Sequence, residues 1–194
     1  MGRLIVRLAS RNENKLRELA RVLDRWDLGL VDADRYPPEE GSTYYENATA
    51  KARYGRRFVD DGWVLGEDSG IEVDGLGGGP GIRSARFGGD DPVGRLLAEL
   101  RAVEGDGRRA RYVCELVALS PSGEEGRGTG VLEGRIAEEP AGSEGFGYDP
   151  IFVPAGEELT VAELGNEWKA ENSHRARAAR DLLRAMSSRG PAGV

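Results

Sequence analysis

The sequence predicts an α/β protein built on a mixed β-sheet flanked by helices. Three observations carry this expectation. Strand-like apolar runs alternate with helical segments early in the chain, which favours parallel pairing. A long hairpin follows, which adds antiparallel strands. No GxGxxG opens a helix after a strand, and no GxxxxGK[ST] is present, so neither common nucleotide-binding fingerprint sets the architecture. The 194 residues suffice for one substantial domain, read here as 1–194, or for two closely joined lobes.

Taken in order, Leu4 to Leu8 reads as the first strand. Asn12 caps a helix from about Glu13 to Asp24, with Leu16, Leu19, Ala20 and Leu23 on one face. Leu28 to Val31 is a short second strand, and Tyr36 to Gly41 is a loop. Thr43 followed by Glu46 is a capping-box pattern that opens a helix to about Val59. Trp63-Val64-Leu65 is a buried strand running into an acidic turn, with another short strand at Ile71 to Val73. Asp91-Pro92 starts a helix to about Ala102. Arg109 to Leu119 and Gly128 to Ile136 form the hairpin around Pro121-Ser122-Gly123. Ile151 to Val153 is a short strand, and Ser173 caps a last helix to about Met186.

Composition removes several function classes. The net charge of −7 argues against an open duplex-binding surface but leaves room for a small anionic ligand in a local basic pocket. One cysteine, Cys114, excludes an intramolecular disulfide and a cysteine zinc cluster, and one histidine, His174, excludes a His-rich metal site. No segment is long and apolar enough to span a membrane, and the N-terminus lacks a signal-peptide core. A cytoplasmic protein is the expectation.

The most informative segment is Gly66 to Phe87, GEDSGIEVDGLGGGPGIRSARF. It brings Glu67, Asp68 and Ser69 to the end of an apolar strand. Adjacent carboxylates repel, so a cation or a shared proton is the usual reason to hold them together. With Glu39 and Glu40 they are candidate Mg²⁺ ligands, because this ion takes few carboxylates and completes its shell with water and substrate phosphates. Asp68 is the candidate to orient or deprotonate an attacking water. The competing readings are an Asx turn at Glu67-Asp68 and a solvated acidic loop at Glu39-Glu40.

The basic residues point the same way. The chain has 24 Arg and three Lys: Lys15, Lys51 and Lys169. Lysine retained in so Arg-rich a chain suggests places where a compact ammonium is needed. Ser10-Arg11-Asn12-Glu13-Asn14-Lys15 follows a strand and opens a helix, which is either a phosphate cradle or an ordinary cap with solvated charges. In Gly145-Phe146-Gly147-Tyr148-Asp149, two aromatics can stack on a purine and the acid can accept hydrogen bonds, or the aromatics join the core. Ser173-His174-Arg175 offers donors to a base edge. Arg175 there would favour a 6-keto oxygen over the amino group of adenine.

These segments together resemble the Ham1/inosine triphosphate pyrophosphatase family. The matching pieces are SRNENK (Ser10–Lys15), STYYENATAKA (Ser42–Ala52), Gly66–Phe87, GFGYDPIF (Gly145–Phe152), Lys169 and SHR (Ser173–Arg175), in order over nearly the whole chain. The resemblance implies a long, twisted mixed sheet, two lobes around a central nucleotide cleft, and a homodimer. It implies Mg²⁺-dependent hydrolysis of ITP, dITP and XTP to the monophosphate and pyrophosphate. By position, Ser10 to Lys15 and Lys51 would hold the triphosphate. Glu39, Glu67 and Asp68 would hold the metal, with Asp68 as proton acceptor. Ser69, Phe146, Gly147, Tyr148, Asp149, Lys169, His174 and Arg175 would surround the nucleotide. Three positions depart from the family pattern: Ser10 stands where Thr is usual but keeps a hydroxyl, Arg11 where a glycine is usual, and Glu67 where Asp is common. The alternatives are a Maf-like pyrophosphatase and a non-catalytic nucleotide-binding protein.

Overall fold

The computed structural model describes residues 2–188. Its elements are β1 (Leu4–Leu8), α1 (Glu13–Val22), β2 (Trp26–Leu30), α2 (Tyr44–Gly55), β3 (Trp63–Val73), β4 (Gly79–Pro80) and α3 (Pro92–Glu99). These are followed by β5 (Arg109–Leu119), β6 (Glu125–Ile136), β7 (Phe152–Pro154), α4 (Val161–Asn172) and α5 (His174–Ser187). The seven strands form one sheet in the order β2-β1-β3-β5-β6-β7, with β4 paired to β3. β1 is parallel to β2 and β3, whereas β4 is antiparallel to β3 and β7 to β6. The sheet is therefore mixed, as the alternation and the hairpin predict. No helix among the described residues is long and apolar enough to cross a membrane.

The helix starts follow the sequence signals. Asn12 Oδ1 accepts from the N–H groups of Asn14 and Lys15 and caps α1. Thr43 Oγ1 caps α2 through Glu46 N–H, and Asp91 caps α3 with Pro92 in its first turn. Several bounds differ from expectation: β2 begins at Trp26, α2 stops at Gly55 and β6 begins at Glu125.

Two larger differences matter more. The expected strand–turn–strand around the acidic pair is one continuous strand, β3. Helix α4 is also unanticipated, although it has its own signal. Thr160 and Glu163 form a reciprocal capping box, and Gly165 at φ 85° breaks the helix within.

The chain divides into two compact units. One comprises residues up to Asp68, Cys114–Gly130 and Arg175 onward; the other comprises Ser69–Val113 and Val131–His174. In the first, Leu65 of β3 joins Cys114, Leu116 and Ala118 of β5 in a core with Leu19 of α1 and Ala178 and Leu182 of α5. Val117 and Leu119 of β5 pack instead with Ala48 and Ala52 of α2. The second unit has its own core of Ile71, Val73, Leu96, Leu100, Tyr112, Ile136, Tyr148 and Phe152, among others.

Strand periodicity then fixes the acidic pair. Successive side chains of a strand point to opposite faces. Leu65 and Glu67 share the α1/α5 face, while Gly66 and Asp68 share the α2 face. Gly66 lets α2 approach closely: a Cβ there would lie 1.9 Å from the Ala48 carbonyl oxygen and 2.8 Å from Ala52 N. Gly66→Ala is expected to destabilise the protein by at least about 1–3 kcal/mol, the usual cost of overpacking. Thermal unfolding of the variant checks this.

Candidate active site

Glu67 and Asp68 are adjacent in the chain, yet each has its own cations. Glu67 is fully buried and receives two of them. Its Oε2 lies 2.5 Å from Lys15 Nζ, and its Oε1 lies 3.1 Å from both Nε and Nη2 of Arg175. Arg175 also pairs with Glu18 of α1 through Nη1. Burial alone would raise the Glu67 pKa, but Lys15, Arg175 and Lys51 outweigh it and hold the carboxyl well below the usual carboxylate range. Arg175 is likewise buried, and its pairing with Glu67 and Glu18 outweighs the desolvation and raises its pKa. Each nitrogen of the expected base-edge donor thus faces one of two carboxylates. Cys114 lies 3.7 Å from Glu67 Oε1; burial and this neighbour push its thiol pKa up, as suits an inert core residue.

On the other face, Lys51 Nζ contacts three oxygens. They are Asp68 Oδ1 at 2.7 Å, the Glu67 carbonyl at 3.0 Å and the Glu39 carboxylate. Burial works against the Lys51 cation, but Asp68, Glu67 and Glu39 more than offset it and raise its pKa. The Asp68 pKa is raised: burial dominates the pull of Lys51, and Glu39 and Glu67 add to the rise. Asn47, one turn before Lys51 on α2, was not anticipated. It is buried, donates from Nδ2 to Asp68 Oδ2 at 3.1 Å, and accepts from Gly41 N at 2.9 Å. It therefore ties the acidic loop to Asp68. Its i, i+4 relation to Lys51 was the available signal. The loop presents Glu39 to Lys51, while Glu40 is exposed.

The donor set bears on the expected metal. Glu39 and Asp68 both reach one cation, Lys51 Nζ, so two carboxylates converge on a single position. Mg²⁺ takes few protein carboxylates, so this pair is the part of the site that could hold one in place of the ammonium between them. No cluster of three or more potential ligands occurs among the described residues. Both oxygens of Glu67 face Lys15 and Arg175.

The loop before α1 behaves as a cap. Ser10 Oγ accepts from Asn12 N at 3.0 Å, and the Asn12 side chain occupies two of the helix-terminal N–H groups. Glu13 pairs with Arg17, Asn14 accepts from Arg17, and Arg11 is exposed. Of this segment, Lys15 is the residue that enters the buried cluster.

The second unit assembles another group. Lys169 and Asp149 are buried and paired at 2.6 Å. Asp149 Oδ2 also accepts from Phe146 N at 2.8 Å, and Oδ1 accepts from Tyr112 Oη at 3.3 Å. Lys169 Nζ stands 4.7 Å from the half-buried Phe146 ring centroid. Gly145 makes this turn possible: it adopts φ 79°, and a Cβ would lie 2.2 Å from Asp149 Oδ2. Gly147 is exposed, with φ 67°.

Tyr148 takes the core alternative open to the aromatics of this loop. Its ring lies in the core rather than on offer to a base, its hydroxyl donates to the Ser84 carbonyl, and burial pushes its pKa up to about 12. His174 is buried and stacks on Tyr112. Ser69, half-buried on β3, begins this unit.

The Ham1 family profile matches residues 6–185. A dITP/XTP pyrophosphatase of Bdellovibrio bacteriovorus is 38% identical, over 95% of this chain and 98% of that protein. One of Thermus thermophilus is 43% identical, over 95% and 92%. Among solved structures, a Ham1 protein of Staphylococcus aureus has TM-score 0.81 and 32% identity, over 96% of this chain and 100% of that one. A HAM1 protein of Coxiella burnetii has TM-score 0.82 and 32% identity, over 95% and 99%. With a matching profile over most of its length and relatives of this identity, the chain belongs to the Ham1 family.

Proposed function

We propose that the protein hydrolyses non-standard purine nucleoside triphosphates (dITP, ITP and XTP) to the monophosphate and pyrophosphate. The observation that carries this reading is the pair of carboxylates, Asp68 and Glu39, converging on Lys51 in a chain similar to dITP/XTP pyrophosphatases. Lys15 and Lys51 supply charge for the triphosphate. Phe146, Asp149, Lys169 and His174 supply stacking and polar groups for the nucleoside.

Asp68 and Glu39 are the residues to hold Mg²⁺, with Asn47 keeping Asp68 oriented. The ion would neutralise phosphate charge and polarise the phosphoryl group. Glu67 is read as the counter-charge that positions Lys15 and Arg175. Asp68, its two oxygens held by Lys51 and Asn47, is read as the group that takes a proton from water. The water oxygen attacks the α-phosphorus, Asp68 accepts its proton, the bridging bond to the β-phosphate breaks, and pyrophosphate leaves. Positioning and electrostatic stabilisation carry most of the rate. A homodimer in the cytoplasm belongs to the same proposal. The family resemblance supports both, and a single cysteine, which can form no intramolecular disulfide, suits a reducing compartment.

The test is release of pyrophosphate and orthophosphate from ITP, XTP, dITP, GTP, ATP and dUTP, with and without Mg²⁺. Mg²⁺-dependent pyrophosphate release favouring dITP, ITP and XTP is expected. Preference for dUTP would favour a pyrimidine house-cleaning enzyme, and binding without turnover a non-catalytic role. Asp68→Asn is expected to lower kcat by about 10²–10⁴-fold, the range for a lost general base, with nucleotide binding retained. Lys15→Ala is expected to raise KM and lower the rate. Near-normal turnover by Asp68→Asn would remove that residue from the centre of the mechanism.

A further inference from the structure

Tyr112 lies outside every motif singled out above, yet it joins two of them. It sits on β5, within a regular strand, and is buried. Its ring stacks on the His174 imidazole with centroids 4.5 Å apart and planes within 7°. It also packs on Phe152 of β7 at 4.6 Å with a tilt of 51°. Its hydroxyl donates to Asp149 Oδ1 at 3.3 Å, while Asp149 Oδ2 accepts from Lys169. One side chain thus reaches His174, at the start of α5, and Asp149, after the glycine-rich loop. Phe152, fully buried, fixes the ring that does so.

We propose that Tyr112 is a specificity-determining positioning residue for recognition of the purine base. This rests on the function proposed above. A buried imidazole can present a ring nitrogen to a base only in one plane, and rotation about its last side-chain bond is soft. A parallel ring at stacking distance removes that freedom, because flat offset stacking loses contact when either ring turns. The hydroxyl contact is long, so the stack is the dominant part and the hydrogen bond to Asp149 a smaller one. Lys169 and Phe146 N–H hold Asp149 independently. Loss of the Tyr112 ring should therefore act on the His174 side of recognition. It should weaken discrimination between 6-keto and 6-amino purines more than it weakens triphosphate binding as such.

The chain has a single histidine, which allows a direct test by NMR of the imidazole C–H resonances. The wild type, Tyr112→Phe, Tyr112→Leu and Tyr112→Met are compared, the last filling the volume with a flexible side chain. In the wild type, the resonances should be shifted upfield by the stacked ring and should move on titration with dITP in EDTA, where turnover is suppressed. Equilibrium binding of dITP and dATP is measured in the same buffer. Tyr112→Leu and Tyr112→Met are expected to lose the upfield shift and to reduce the dITP-to-dATP affinity ratio by about three- to tenfold, the scale of one aromatic pair. Tyr112→Phe, which keeps the ring, should restore the upfield shift and most of the ratio.

If Tyr112→Leu fails to fold, Tyr112→Met and the wild-type titration still decide the matter. An unchanged ratio in a folded variant that has lost the upfield shift would overturn the proposal. So would wild-type resonances that stay fixed when dITP binds. Failure of the wild type to bind or hydrolyse any purine triphosphate would instead overturn the functional reading on which the proposal stands.

Discussion

A fully buried carboxylate, Glu67, is the constraint on which the first of the two units depends. Removing an ion from water costs several kcal/mol even after relaxation, and the cost is offset only by close, well-oriented counter-charges. Lys15 of α1 and Arg175 of α5 supply them, and Glu18 of α1 balances Arg175 in turn. α1, β3 and α5 are thereby joined by charge as well as by the apolar contacts of Leu19, Leu65 and Leu182. The arrangement fixes where the Lys15 ammonium stands. It also leaves Asp68, one residue later on the opposite face, to a separate set of partners on α2.

Strand geometry thus gives the adjacent acids separate cations on opposite faces, and the repulsion that remains helps raise the Asp68 pKa. The three lysines that persist among 24 arginines follow the same logic. Each meets a carboxylate in a largely buried pair: Lys15 with Glu67, Lys51 with Asp68, and Lys169 with Asp149. A compact ammonium suits such sites, because a guanidinium would need more space and more acceptors. Arg175 is the exception that illustrates the rule, since its wide fork spans two acids, Glu67 and Glu18.

Much of the fold was legible because its signals are local. The Asn12, Thr43 and Asp91 caps, the early alternation and the hairpin all place elements within a few residues of where they lie. The acidic segment was misread as a turn because glycine and carboxylates disfavour strands in isolation. Its strand is stabilised by cations 52 and 108 residues away, which no local window reveals. The fate of Tyr148 and the choice of Glu39 over Glu40 have the same origin. Burial against Ser84 decides the first, and the Asn47 bridge to Gly41 bears on the second. Helix α4 was missed for a different reason: Gly165 interrupts its periodicity, although the Thr160–Glu163 box announces it.

In the proposed division of labour, Glu67 positions Lys15 and Arg175, while Asp68 and Glu39 would serve the metal. Steady-state kinetics of Glu67→Gln, with dITP and Mg²⁺ varied independently, tests it most directly. A higher KM and lower kcat are expected, with the Mg²⁺ concentration for half-maximal rate close to that of the wild type. A large rise in that Mg²⁺ concentration, with the KM for dITP unchanged at saturating metal, would contradict it and make Glu67 a metal ligand.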